Sequence, residues 1–425
     1  MNMNSAMISS SFTTPLVINI DSYRHRSHEE QIITINTKQT DEESVVLDNT
    51  SKETIGTSTF FKTCFNGINA LSGVGILSLP YALASGGWLT LILLFIVAAA
   101  TYYTGLLMRR CMDHAFGKKG KMIVSSFMYL ELYVVATGFL ILEGDNLSNL
   151  FPNMSFTLAG VTVYGQQGFV MLVALIILPS MWLTDLSKIS YVSATGILAS
   201  ALIILSVFWV GAEDTGFRAK GRFFHLNGIP TGVGLYTFCY CAHPVFPTLY
   251  TSMKDKRQFS KVLLLCFVLC TISYAAMAVL GYLMFGENIK SQVTLNLPTD
   301  KLSSKIAIYT TLVTPIAKYA LMATPIVSAI ESSSGINHNN RVSSVTVALA
   351  IPFFGYLMSL VGAFLSATAS IIIPCLCYLK IMGTYRRWGC ELVIIIGIIL
   401  MGISVVVIGT YTSLEQIASE FNLSF

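Results

Sequence analysis

Between Phe60 and Ala82 runs an apolar stretch long enough to cross a bilayer, yet Asn66-Gly67, Asn69 and Ser72-Gly73-Val74-Gly75-Ile76-Leu77 interrupt it and Pro80 closes it. Nothing else in the chain constrains its fold as strongly. A backbone group stripped of hydrogen bonds costs several kcal/mol in hydrocarbon, so unwound chain at membrane depth is tolerated only where it faces protein or a wet cavity. The break therefore points to a binding cavity.

Composition supplies the setting. Of 425 residues, 54% are hydrophobic and 11% charged, against about 25% charged in soluble domains. Apolar runs of roughly 20 residues, the length that a bilayer core requires, recur about eleven times. They lie near residues 60–82, 88–108, 123–143, 167–183, 189–211, 232–252, 260–285, 305–329, 343–361, 363–382 and 391–411. Residues 1–56 differ: they are Ser/Thr-rich, acidic at Glu29, Glu30, Asp41, Glu42 and Glu43, and have the composition of a disordered cytosolic tail. The transporter-sized membrane domain is expected over 57–412, with a short tail at 413–425. No basic segment followed by an apolar core resembles a cleavable signal, so the first span is expected to act as the targeting signal.

Lys and Arg set the expected orientation. Connections after even-numbered spans carry Arg109, Arg110, Lys118, Lys119, Lys121, Lys188, Lys254, Lys256, Arg257, Lys261, Arg341, Lys380, Arg386 and Arg387. Those after odd-numbered spans carry only Arg218, Lys220, Arg222, Lys290, Lys301 and Lys305. A cytosolic N-terminus and a non-cytosolic C-terminus follow. The sequons at Asn146 and Asn153 then fall in a non-cytosolic connection, where glycosylation is open to them. The nine cysteines form no CxxC pair and read as packing residues rather than disulfides or a metal site.

The sixth span repeats the oddity of the first. Tyr240-Cys-Ala-His243-Pro244-Val-Phe-Pro247 sets two prolines three apart behind a histidine. Each proline removes a donor and disfavours helix before it. Two interrupted spans, five apart, are the sequence sign of an inverted-repeat secondary transporter. Such a break offers free N–H groups beyond Gly73 or Gly75 for a carboxylate, and free carbonyls before Ser72 for a cation or ammonium. A zwitterion such as an amino acid needs both. Pro179, Pro315, Pro325, Pro352 and Pro374 read as ordinary kinks in membrane helices.

At these residues a resemblance emerges. Asn66-x-x-Asn69-Ala-x-x-Gly73-x-Gly75-Ile-Leu-x-Leu-Pro80-Tyr-Ala resembles the first-helix signature of the amino acid/auxin permease family, in its vacuolar amino acid transporter branch. Glu131-Leu-Tyr133, Ile141-Leu-Glu143-Gly-Asp145-Asn146-Leu, Trp182-Leu-Thr-Asp185-Leu-Ser and Ser291-Gln-Val-Thr-Leu-Asn296-Leu-Pro298 are similar to that branch in order and spacing. The resemblance spans roughly residues 57–410. It implies an all-α polytopic membrane protein of about eleven transmembrane helices. The implied fold is a leucine-transporter-type five-plus-five inverted repeat with discontinuous helices 1 and 6.

Ionisable groups at membrane depth are the next suspects. Glu131 reads either as a proton relay or as a structural partner for a tyrosine or backbone N–H, and Glu143 and Asp145 read as a solvated rim. Thr311, Thr314 and Lys318 share a face of the eighth span. In sodium-coupled relatives of the implied fold the first and eighth helices hold sodium, and Asn69 stands at the matching position of the first. The Lys318 ammonium could take the place of that sodium, or pair with Glu131 to lock the bundle. His243 reads as a sensor of lumenal acidity or as a donor to freed carbonyls. Tyr133 and Tyr240 read as pocket walls or as packing.

The expected substrate-binding set is thus Ser72, Gly73, Val74, Gly75, Ile76, Tyr133, Tyr240 and His243. The ion-coupling set is Asn69, Glu131, Thr311, Thr314 and Lys318. The reading is a proton-coupled, sodium-independent carrier of neutral amino acids, with the vacuolar membrane as its expected site. The alternatives are an amino-acid-sensing transceptor, a channel, and an amino acid/auxin carrier of the plasma membrane. The partners expected are amino acid, protons and the lipid bilayer, with no nucleic acid, no metal and no cofactor. No phosphate-binding G-x-x-x-x-G-K-[ST] loop appears, and the intramembrane polar residues assemble no catalytic set.

Overall fold

The computed structural model describes residues 56–423 apart from 113–117, 153, 159–160, 178–185, 219–220, 312, 316, 320, 323–353 and 384–388. The N-terminal tail except Gly56, Asn153, Trp182, Asp185, Pro179, Pro325, Pro352, Arg341, Arg386, Arg387 and most of the ninth span lie outside the described residues.

The first span is two half-helices, α1 (Phe60–Leu71) and α2 (Leu79–Gly86), joined by a 3-10 turn at Val74–Ser78 and bent by 42°. Phe61 and Phe65 are exposed on α1, while Thr63, Asn66, Gly67, Asn69 and Ala70 are buried. Large apolar residues outside and small or polar ones inside is the pattern of a helix packed among helices in lipid. Pro80 stands in the first turn of α2, where a missing N–H costs nothing.

The second span is α3 (Thr90–Met112), and the third is the 33-residue α4 (Lys118–Leu150). A short antiparallel hairpin, β1 (Ser155–Leu158) with β2 (Val161–Tyr164), leads into α5 (Gly165–Ile177). α6 (Leu186–Val210) ends in a π turn at Gly211–Thr215. The sixth span is broken into α7 (Ile229–Cys239) and α8 (Phe246–Ser252). α9 (Phe259–Phe285) and α10 (Leu302–Thr311) follow, and the described residues from 313 to 322 continue the helix of α10. Among the described residues, five helices are long and apolar enough to cross a membrane, or six with the bent first pair.

The expected boundary at Gly362 between a ninth and a tenth span is not there. α11 (Phe354–Val361) runs through a π-helical segment, Gly362–Ile372, into α12 (Ile373–Met382) as one continuous helix. Gly362 is a packing residue: a Cβ there would fall on the Gly234 carbonyl of α7, so the two helices meet backbone to backbone. α13 (Cys390–Ser404), a π turn and α14 (Thr410–Leu423) complete the chain. Residues 413–423, expected as a short tail, are helical, and Ser413 is buried 3.0 Å from Ser359.

Two further expectations change. Glu143 is fully buried rather than on a solvated rim, because α4 runs on to Leu150. Asn146 is buried too. Its amide donates to the Leu142 carbonyl and to Gln292 Oε1, both at 2.9 Å, and its oxygen accepts from Thr294 at 2.6 Å. Asp145 accepts from Gln292 and Gln166 beside it. A glycan on Asn146 has no place in this network.

Candidate substrate and ion site at the broken helices

The break in the first span starts where the α-helical hydrogen bonds stop. Ser72 N–H still reaches the Ile68 carbonyl at 2.6 Å, but Gly73 N–H turns to Leu71 at 2.7 Å. Gly73 itself is extended, with φ −107° and ψ −169°. In the sixth span, Tyr240 and Ala242 carry the chain from α7 into a 3-10 turn at His243–Val245. Pro244 in that turn and Pro247 at the start of α8 open the second half-helix. The two breaks touch: Gly75 lies against the Phe238 ring and the Cys239 sulfur.

Tyr274 of α9 bridges them. Its buried hydroxyl lies 2.5 Å from the Leu71 carbonyl, at the end of α1, and 3.0 Å from the Cys239 carbonyl, at the end of α7. Cys266 and Cys270, two turns and one turn earlier on α9, direct their sulfurs at the carbonyls of Cys64 and Ile68. One stripe of α9 therefore follows the backbone of α1 and finishes at both breaks.

Asn66 and Asn69 tie α1 to its other neighbours. Asn69 donates to Ser193 Oγ at 3.3 Å and to the Ala317 carbonyl at 3.1 Å. Ser193 donates onward to Asn66 Oδ1 at 2.8 Å, and Asn66 donates to the Leu186 carbonyl at 2.9 Å. Asn69 thus joins the first span to the fifth and the eighth. Ser72 adds a contact to Ser200 at 3.2 Å.

Lys318 follows Ala317 on the eighth helix and is buried. Its ammonium group lies against Gly73, where a Cβ would collide with Nζ, and 5.7 Å from the centre of the Phe139 ring. The alternative lock with Glu131 is absent. Among the described residues the ion pairs are Arg110–Glu391, Arg222–Glu287 and Lys301–Asp214, none of them buried in the bundle.

The remaining candidates fall in separate places. Glu131 is fully buried, with the Ser366 hydroxyl beside its carboxylate and no close hydrogen bond at either oxygen. Glu143 Oε2 accepts from Thr311 at 3.5 Å, while its Oε1 and the buried Thr314 hydroxyl are unpartnered. Ile76 is buried beyond the break. Tyr240 stacks on Phe267 and has its hydroxyl 2.8 Å from Thr271, so it is turned toward α9. Tyr133 is half-buried beside Tyr319. His243 Nε2 is 3.0 Å from Thr104 of α3. Val74 is at the break, in the first turn after Gly73.

Sequence reasoning missed Tyr274. The available signal was the spacing of Cys266, Cys270 and Tyr274, four residues apart along an otherwise apolar helix.

Known proteins resemble the chain in fold and in sequence. A crystal structure of the Eremococcus coleocola manganese transporter, bound to an aromatic bis-isothiourea substituted compound, superposes with a TM-score of 0.53 at 12% identity, covering 84% of this chain and 87% of that one. The fold is the leucine-transporter type. In sequence, the chain is 57% identical over 411 residues to the amino acid transporter AVT1J of Arabidopsis thaliana, covering 90% of this chain and 97% of the relative. It is 53% identical to AVT1I of the same plant, covering 86% and 97%. The profile of one family, described as transmembrane amino acid transporter protein, matches residues 56–415. With nearly the whole membrane region matched in sequence and the broken-helix fold matched in space, the chain belongs to the transmembrane amino acid transporter protein family.

Proposed function

We propose that this protein is a proton-coupled, sodium-independent carrier of neutral amino acids. Its site lies between the broken helices, with Ser72, Gly73, Val74, Gly75 and Ile76 presenting backbone to the substrate. It resides in the vacuolar or another endomembrane, with its N-terminus in the cytosol. The relatives named as amino acid transporters support the substrate class. A half-helix beginning beyond Gly73 presents N–H groups suited to a carboxylate, and the carbonyl ends of α1 and α7 suit an ammonium. The basic connections support the orientation.

One observation carries the coupling. The ammonium of Lys318 lies against Gly73 at the break, and Asn69 is bonded to Ala317, the residue before it. A fixed cation there supplies the charge that sodium supplies in a sodium-coupled carrier of this fold, and leaves the driving role to a proton. Glu131, buried and unpaired, is the group that carries it.

Proteoliposomes containing the purified protein test the reading. An imposed pH gradient is expected to drive accumulation of a labelled neutral amino acid without sodium, and Lys318→Ala and Glu131→Gln are each expected to abolish it. Saturable binding without flux would assign the protein to sensing, conductance beyond carrier turnover to a channel. Wild-type accumulation in both variants would remove these two residues from the coupling.

A further inference from the structure

A second group of buried polar atoms lies outside the helix-1 break, around the π-helical segment Gly362–Ile372. This segment packs against α3, against α4 and against the His243 turn, and α4 packs against that turn as well. Four side chains from these elements meet the membrane interior without hydrogen-bond partners. They are Glu131, at both carboxylate oxygens, His243 at Nδ1, and Ser366 and Ser370 at their hydroxyls. Each is essentially inaccessible to solvent. Unpaired buried polar atoms are rare singly, and such a group calls for an explanation.

The chemistry of the four is complementary. Thr104 Oγ1 lies 2.6 Å from the Ser370 carbonyl, 3.0 Å from the Thr101 carbonyl and 3.0 Å from His243 Nε2. Its single proton goes to a carbonyl, so Nε2 must be the donor to Thr104. That fixes the histidine tautomer and leaves Nδ1 a bare acceptor. The carboxylate of Glu131 is an acceptor as well. Ser366 and Ser370 are hydroxyls that can donate and accept in turn. They stand four residues apart in a widened helix, on nearly one line, and the Ser366 hydroxyl borders both Glu131 and the Cys241 thiol of the helix-6 break. π segments inside α-helices recur at functional sites. Here the widened turn carries one hydroxyl beside Glu131 and a second four residues on, at the residue whose carbonyl holds Thr104, the partner of His243.

We infer that Glu131, Ser366, Ser370 and His243 form a water-binding proton-transfer site, separate from the substrate site at Gly73 and Lys318. Water at this site accepts hydrogen bonds from the serine hydroxyls and donates to Glu131 and to Nδ1. The transfer balances: the O–H bond of the protonated Glu131 carboxyl breaks, a proton moves through water, and an N–H bond forms at His243 Nδ1. Carboxylate and imidazolium remain, with Nε2–H still held by Thr104. The return transfer restores both neutral groups. The inference rests on the proton-coupled reading above and adds the route by which the proton leaves Glu131.

The full-length protein in proteoliposomes tests it with two assays. Exchange of labelled for unlabelled amino acid at equal concentrations needs no net proton movement, whereas accumulation under a pH gradient does. The Ser366→Ala/Ser370→Ala double variant is expected to melt no lower than wild type and to keep its exchange. Gradient-driven accumulation, with the accompanying proton flux read by an internal pH dye, is expected to fall about a hundredfold, the low end of what a positioned proton carrier contributes. Ser366→Thr, which keeps a hydroxyl, is expected to retain accumulation. Wild-type accumulation in the double variant overturns the inference. So does parallel loss of exchange and accumulation that threonine does not prevent. If the wild-type protein itself exchanges but never accumulates under a pH gradient, proton coupling fails first, and the relay fails with it.

Discussion

Gly73 and Lys318 occupy one another's space: the ammonium of the lysine stands where the glycine would carry a side chain. The closeness is backbone to charge, at a point where the first helix has lost its regular hydrogen bonds. The two residues are 245 positions apart, and each explains the other. A glycine is required because a lysine fills the gap, and the ammonium lies between that glycine and the face of the Phe139 ring.

Gly73→Ala is therefore expected to displace the ammonium and reduce amino acid uptake about a hundredfold, the order of loss that follows when a positioned group moves by about an ångström. Gly397→Ala is the control, since a Cβ there meets nothing within 4 Å. Initial rates of uptake in proteoliposomes check both. Equal rates for Gly73→Ala and wild type would show that the contact has no role.

Tyr274→Phe keeps the ring that packs edge-on against Tyr240 and removes only the hydroxyl shared by Leu71 and Cys239. Stranding a buried carbonyl costs about 1–3 kcal/mol. A lower melting temperature in detergent is expected, together with slower uptake. A variant that melts and transports like wild type would mean that water replaces the phenol.

Asn69→Ala is expected to destabilise the protein by about 1–3 kcal/mol through loss of its bonds to Ser193 and Ala317. Ser193 also serves Asn66, so Asn69→Ala and Ser193→Ala share partners and their costs should combine to less than their sum. Thermal melting of the two single variants and the double variant measures the shortfall. Simple additivity would separate the two residues.

Asn146 is expected to remain unmodified when the protein is made in eukaryotic cells. Mass spectrometry of its peptide is the check, and a glycan there would contradict the network with Gln292 and Thr294.

Much of the architecture was legible because glycine, proline and asparagine inside apolar runs have few other uses. The first break was readable from Ser72-Gly73 and Pro80, its partner from His243-Pro244. The limits have physical causes as well. A sequon reports three residues and nothing of burial, so Asn146 read as a surface acceptor. Glu143 read as a rim residue because the apolar run fades near it, although α4 continues for another seven residues. Ser366 and Ser370 have no sign of their own in the sequence, since hydropathy does not distinguish an α turn from a π turn. Tyr274 was hidden among the apolar residues of α9, and its role arises only when α1 and α7 end beside it.

Tyr274 also bears on what the site wants. A phenol has one proton, and here two carbonyl oxygens lie within its reach. The Leu71 carbonyl also accepts the Gly73 N–H, which leaves the phenol proton for Cys239. The meeting point of the two broken helices thus closes on itself, one carbonyl held by a backbone N–H and the other by the phenol. Any ligand that took either carbonyl would have to displace the Gly73 N–H or the Tyr274 phenol first, so the junction that joins the two half-helices is held from within and opens only at the cost of a hydrogen bond.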